Sequence, residues 1–141
     1  MADLIIYTDG GARGNPGPAA VGVVIADATE KVLKEISRAI GEQTNNFAEY
    51  EALLVALEEA KKLYGEKLRE MQIDVRMDSE LVVRQLLGLY KVKEPNLKAQ
   101  YARVKEMLHE DAPHTTFVHV PREKNARADA LVNAALDALG N

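Results

Sequence analysis

The run Leu4-Ile5-Ile6-Tyr7-Thr8 is apolar almost throughout and stops at an acid, Asp9. A run without period-two alternation describes a strand covered on both faces, near the middle of a sheet. A glycine-rich stretch, Gly10-Gly11-Ala12-Arg13-Gly14-Asn15-Pro16-Gly17-Pro18, follows at once and reads as a turn. Asp9 is therefore expected where a buried strand reaches the surface, and open sheets bind ligands at such strand ends. An Asp before Gly is by itself ordinary turn chemistry. Three further acids in unusual places give it more weight.

The rest of the first third reads as two more strands, Ala20 to Ala26 and Val32 to Ile40, joined by links short enough for an antiparallel meander. Thr44 to Leu63 has the strongest helical spacing, with Leu53, Leu54, Leu57 and Ala60 in phase, Thr44 or Asn45 as cap and Gly65 as stop. Met71, Ile73, Val75 and Met77 alternate with polar residues as a half-buried strand that ends in Asp78, and a helix from Ser79 to Leu87 follows. Leu89 to Asn96 reads as a loop and Leu97 to Leu108 as a helix. Thr115 to Val120 reads as a strand, and Asn125 to Leu139 as the last helix. Three strands, then helix, strand, helices, strand and helix describe an α/β chain with a mixed sheet and helices on its faces. No repeat or linker divides it, so 1–141 is expected to be a single domain.

The chain has no cysteine, which excludes disulfides, thiol nucleophiles and thiolate zinc sites and leaves oxygen donors as the means of holding a metal. His109, His114 and His119 show no ligand spacing. No apolar stretch approaches the roughly 18–20 residues that span a bilayer, and the N-terminus lacks a secretory pattern, so a cytoplasmic location with no membrane association is expected. The formal charge of −4 weighs mildly against a polyanionic partner. Its distribution can outweigh its sum, since Arg84, Lys91, Lys93, Lys98, Arg103 and Lys105 fall in one segment and Arg122, Lys124 and Arg127 in another.

Glu49 lies on the helix face that carries Leu53, Ala56, Leu57 and Ala60, while Glu51, Glu58 and Lys62 point the other way. A carboxylate on a core face needs a partner or a proton, although Glu49 is also early enough to cap its own helix. Asp78 before Ser79-Glu80 can equally be a helix N-cap. Asp129 shares a helix side with Val132 and Leu136. Together, two strand ends and two helix faces can bring four carboxylates to one spot. Four such charges must either take up protons or hold cations. With oxygen donors only, Mg²⁺ or Mn²⁺ suits the site better than zinc, and such a cluster equips two-metal phosphodiester chemistry.

These residues resemble the type 1 ribonuclease H family from Asp9 almost to the C-terminus. The markers are Tyr7-Thr8-Asp9-Gly10-Gly11 with Gly14-Asn15-Pro16-Gly17-Pro18, Thr44-Asn45-Asn46 leading to Glu49, Met77-Asp78-Ser79, and Asn125-Ala126-Arg127-Ala128-Asp129. The resemblance implies a five-stranded mixed sheet, three antiparallel strands and then parallel ones, with helices on both faces. It also implies cleavage of the RNA strand of RNA/DNA hybrids, leaving 3′-hydroxyl and 5′-phosphate ends. Asp9, Glu49, Asp78 and Asp129 would be the catalytic acids and the ligands of two Mg²⁺ ions, with Mn²⁺ as an alternative. Glu49 would also accept a hydrogen bond from the RNA 2′-hydroxyl. Gly10 and Gly11 would let RNA approach the backbone, Asn15, Asn45 and Asn46 would read the minor groove, and Thr44 would contact a DNA phosphate. For the asparagines and Thr44, turn and capping roles remain open beside these.

Two departures stand out. Val120-Pro121-Arg122-Glu123-Lys124-Asn125 lacks the loop histidine of many relatives, which makes Arg122 the candidate substitute, able to stabilise charge but not to shuttle a proton. The chain also has no tryptophan and no basic protrusion after its second helix, like a handle-less archaeal and bacterial subgroup. Glu42 and Glu80 stand where many relatives have Arg and Gln. The expected protein is a monomer acting on hybrids, with double-stranded RNA as an open second substrate. The rival readings are a hybrid-binding module that does not cleave and a metal-dependent phosphatase.

Overall fold

The computed structural model describes residues 1–140. Its elements are β1 (Leu4–Ala12), β2 (Gly17–Asp27), β3 (Val32–Gln43), α1 (Asn45–Tyr64), β4 (Ile73–Met77), α2 (Glu80–Leu86), α3 (Pro95–Asp111), β5 (Thr115–His119) and α4 (Ala126–Asp137). Short 3₁₀ turns cover Gly65–Glu70 and Arg122–Asn125. The five strands form one sheet in the order β3-β2-β1-β4-β5. The β1, β2 and β3 pairings are antiparallel, whereas β4 joins β1, and β5 joins β4, in parallel. The unalternating run Leu4 to Thr8 is accordingly the central strand, buried on both sides.

Strand alternation divides the core between two faces. Leu4, Ile6, Val21, Val23 and Ile25 pack with Leu53, Leu57 and the rest of α1, and Ala20 packs with Val132 and Leu136 of α4 on the opposite face. Both helices come unusually close to the sheet, and a glycine admits each. A Cβ at Gly10 would lie 2.2 Å from the Ala48 carbonyl of α1, and one at Gly22 would lie 2.2 Å from the Ala128 oxygen of α4. No described helix is long and apolar enough to cross a membrane.

Two local expectations are corrected. The chain does not turn at Gly10: β1 runs on to Ala12, with Gly10, Gly11 and Ala12 paired to Val21, Ala20 and Ala19, and the reversal comes after it. The glycines there serve close packing and extended pairing rather than a bend. Pro95 opens α3 instead of interrupting a loop, since a proline at the first helical position loses no hydrogen bond. The side of α1 opposite the sheet is covered by α3, where Gln100 donates to Glu51 and Arg103 pairs with Glu58.

Candidate active site

The parallel ladder between β1 and β4 ends at the pair Thr8 and Met77, so Asp9 and Asp78 are the first residues past the last pairing. β1 stays paired to β2 beyond this point while β4 stops, and the two strands part. The cap of α2 is Ser79, whose Oγ accepts from the Val82 amide at 3.3 Å, which leaves the Asp78 carboxylate free. α1 is capped by Thr44, whose Oγ1 accepts from the Phe47 amide at 3.2 Å. Glu49 is therefore not occupied at its own helix end. Its Oε1 instead accepts from the Gly10 amide at 2.6 Å, and that amide also lies 3.0 Å from Asp9 Oδ1.

One carboxylate oxygen each from Asp9, Glu49 and Asp78 lies within 4.8 Å of the others. Asp129, in the first turn of α4, lines the same groove as Asp9 and Asp78. Asp9 and Glu49 are nearly inaccessible to solvent. Burial, and then the charge of Asp78, push the Asp9 carboxyl up to about 7, and Asp129 adds to the effect. Burial and the charge of Asp9 raise Glu49 well above the usual carboxylate range, against the pull of the Gly10 amide. The charges bearing on both groups are those of other carboxylates. Hard anionic oxygens crowded together in this way are the donor set of a divalent metal site, and they fit one here.

The other expected residues are brought to the groove unequally. Gly11, Asn45 and Arg122 line it with the acids, and Asn46 borders Glu49 and Ser79. Gly10 lies in the groove, but its missing side chain admits α1 rather than a ligand. Asn45 Oδ1 accepts from the Ala12 amide at 2.8 Å, and Asn15 Oδ1 accepts from the Asn45 amide at 3.0 Å. Both asparagines thus have structural work for their oxygens, while their NH₂ groups remain donors. Thr44 serves as a cap and does not line the groove around the acids. His119 belongs to β5, with Nε2 3.3 Å from the Asp78 carbonyl oxygen.

Sequence reasoning missed the part played by Asn125. It is buried, and its Nδ2 donates to the Thr8 carbonyl at 2.9 Å, while its Oδ1 has no protein partner. This bond ties the turn that carries Arg122, and the start of α4, to the residue before Asp9. The one available signal was an asparagine just before a helical run, which reads as an N-cap, yet its side chain caps nothing. Asn125→Ala should cost about 1–3 kcal/mol, measured by urea unfolding, because the Thr8 carbonyl loses its side-chain donor. An unchanged midpoint would show that the tie is dispensable.

The Reverse transcriptase-like family profile matches residues 7–135. The structure of LC11-RNase H1, isolated from compost by a metagenomic approach, is 58% identical, covers both chains completely and superposes with a TM-score of 0.94. The chain belongs to the type 1 ribonuclease H family. Ribonuclease HI of Halobacterium salinarum is 44% identical over 93% of this chain and 63% of its own length. The bifunctional protein Rv2228c of Mycobacterium tuberculosis is 43% identical over 96% of this chain and 36% of its own. The chain thus spans less than two thirds of these relatives. LC11-RNase H1 has also been solved in complex with an RNA/DNA hybrid. Among ribonucleases H this chain is handle-less, for α2 and α3 are joined only by residues 87–94, with Leu89 and Tyr90 exposed.

Proposed function

We propose that this chain is a divalent-metal-dependent endoribonuclease that hydrolyses the RNA strand of RNA/DNA hybrids, with 1–141 acting as one catalytic domain. The observation that carries the reading is the cluster of Asp9, Glu49 and Asp78 at the parting strands, where neighbouring carboxylates raise one another's pKa. The hybrid complex of LC11-RNase H1, a relative 58% identical, supports the substrate class. Asp9, Glu49, Asp78 and Asp129 would hold two Mg²⁺ ions, or Mn²⁺. When bound, such ions lower the pKa of the attacking water and stabilise the leaving 3′-oxygen. The phosphorus–O3′ bond breaks, leaving a 3′-hydroxyl and a 5′-phosphate.

The side chains of the groove place the substrate. Glu49 Oε1 is held by the Gly10 amide, and the carboxylate so positioned would accept from an RNA 2′-hydroxyl, which DNA lacks. Asn45 and Asn46 offer NH₂ donors to the minor-groove edge, with Asn15 holding the Asn45 backbone in place. Gly11 lines the groove beside them, and Thr44, the α1 cap outside that groove, would contact a DNA phosphate. Arg122 supplies a fixed positive charge for the departing phosphate. Arg122→Ala should lower kcat by about tenfold in single-turnover cleavage, because one charge-stabilising donor is lost and the acids remain. Normal kcat would return Arg122 to the status of a surface residue.

The test is a panel of hybrid, RNA duplex, DNA duplex and a small phosphate monoester, each in Mg²⁺, in Mn²⁺ and in chelator. Metal-dependent cutting of the hybrid's RNA strand, with no turnover of the monoester, supports the proposal. Binding of hybrid without cleavage would favour a recognition module, and turnover of the monoester a phosphatase. A monomeric, cytoplasmic enzyme forms part of this reading, and sedimentation at a dimer's mass would remove the first element.

A further inference from the structure

The groove that holds the acids extends past Asp129 to Asn133 on α4 and to Arg13 in the turn after β1. Its lining includes two cations, Arg122 and Arg13. The chain is net negative, and the groove's floor is acidic. A polyanionic strand lying along it therefore depends on those two residues. Arg122 adjoins the acids, while Arg13 is linked to Asp129 through Asn133 and has no part in the function derived above.

Arg13 Nη2 is paired with Asp137 Oδ1 at 2.7 Å and lies 3.4 Å from Asn133 Oδ1. Asn133 in turn donates to Asp129, at 3.2 Å to its carbonyl and 3.4 Å to Oδ2. The Arg13 backbone is fixed by its amide N–H, which donates to the Pro18 carbonyl at 2.8 Å, so the side chain is carried on a firm base. Asp137 is a poor permanent partner for two reasons. Its side chain is 66% exposed, Arg13 is 40% exposed, and water screens such a pair. Asp137 is also the last residue of α4, where the helix dipole disfavours an acid. A phosphodiester presents the same guanidinium with two oxygens in forked geometry.

We propose that Arg13 binds a phosphodiester of the cleaved strand flanking the scissile one, and that Asp137 is its resting partner, competing with substrate for the guanidinium. The inference rests on the proposed hybrid-cleaving function. Asp137 is then a built-in restraint on affinity, and the two members of the pair should have opposite effects when removed. A structural ion pair would make both removals act in the same direction.

The test is fluorescence anisotropy of a labelled RNA/DNA hybrid against a non-cleaving Asp9→Asn parent in Mg²⁺. Added Arg13→Ala should weaken binding by about fivefold or more and lower the salt slope by about one. Arg13→Lys, which keeps charge without the fork, should fall between. Added Asp137→Ala should tighten binding by about two- to threefold, and that gain should vanish when Arg13→Ala is also present. A gain that survives the loss of Arg13 is a bulk charge effect and overturns the competition. Equal weakening by both single changes, or no effect of Arg13→Ala, overturns the binding role. A parent that binds no hybrid at all removes the proposed function and this inference with it, whereas a binding parent with an inert Arg13 removes only the inference.

Discussion

Asp9→Asn should abolish cleavage, with a loss of about three orders of magnitude or more in kcat, and should at the same time stabilise the metal-free protein. The first effect follows from removing an anionic oxygen at the centre of the cluster. The second follows from the carboxyl being held up to about 7 in the folded chain, against an ordinary value of 3.8. Between those values the folded protein keeps a proton that the unfolded chain has released. The contribution of this group to the stability of the metal-free protein is then fully present below about pH 4 and is lost as pH rises through about 7. The whole difference is worth about 4 kcal/mol at most, because the charge is shared among coupled acids. An asparagine is neutral throughout and can still accept from the Gly10 amide. In chelator at pH 8 the variant should therefore melt several degrees above wild type, with the gain shrinking toward pH 5. Mg²⁺ should raise the wild-type melting temperature more than the variant's. A variant that is no more stable than wild type at pH 8 without metal would show that Asp9 is not under electrostatic stress.

Gly10→Ala should be among the most damaging single-methyl additions in the chain. Its Cβ would lie 2.2 Å from both the carbon and the oxygen of the Ala48 carbonyl and 2.5 Å from the Glu49 nitrogen. All three are backbone atoms of α1, so no rotamer change relieves the contact and the helix itself must move. α1 is packed between the sheet and α3, and shifting it should cost about 3–5 kcal/mol by urea unfolding. Glu49 rides on that helix, so activity at a temperature where the variant is folded should also fall by about a hundredfold. Gly11→Ala is the control, because its Cβ would meet Val132 at an ordinary 3.7 Å and Asn45 Oδ1 at 4.0 Å. That change should cost under about 1 kcal/mol. Equal stability of the two variants would mean that α1 does not depend on the glycine.

What the sequence made legible was mostly local or periodic. The unbroken run to Thr8 identified the central strand, and helical phase placed Glu49 on the core face, where it is buried. Chemistry shared by neighbours was not separable: Asp78 and Ser79 are both good caps, and only the backbone shows that Ser79 takes the role and leaves Asp78 free. Gly10 and Gly11 looked like a turn because glycine reports what a backbone can do, not which strand it pairs with. The tie from Asn125 to Thr8 spans 117 positions, and no spacing rule reaches that far. The Arg13–Asp137 pair is equally non-local, joining the first turn of the chain to its last helix.

The most direct measurement is cleavage of a hybrid carrying a label on each strand in turn, with wild type and Asp9→Asn, in Mg²⁺ and in chelator. The expected result is cutting of the RNA strand alone, by wild type alone, in Mg²⁺ alone, with 5′-phosphate and 3′-hydroxyl ends. Cutting that survives chelation or the loss of Asp9, or that falls on the DNA strand, would contradict a metal-dependent ribonuclease built on these four acids.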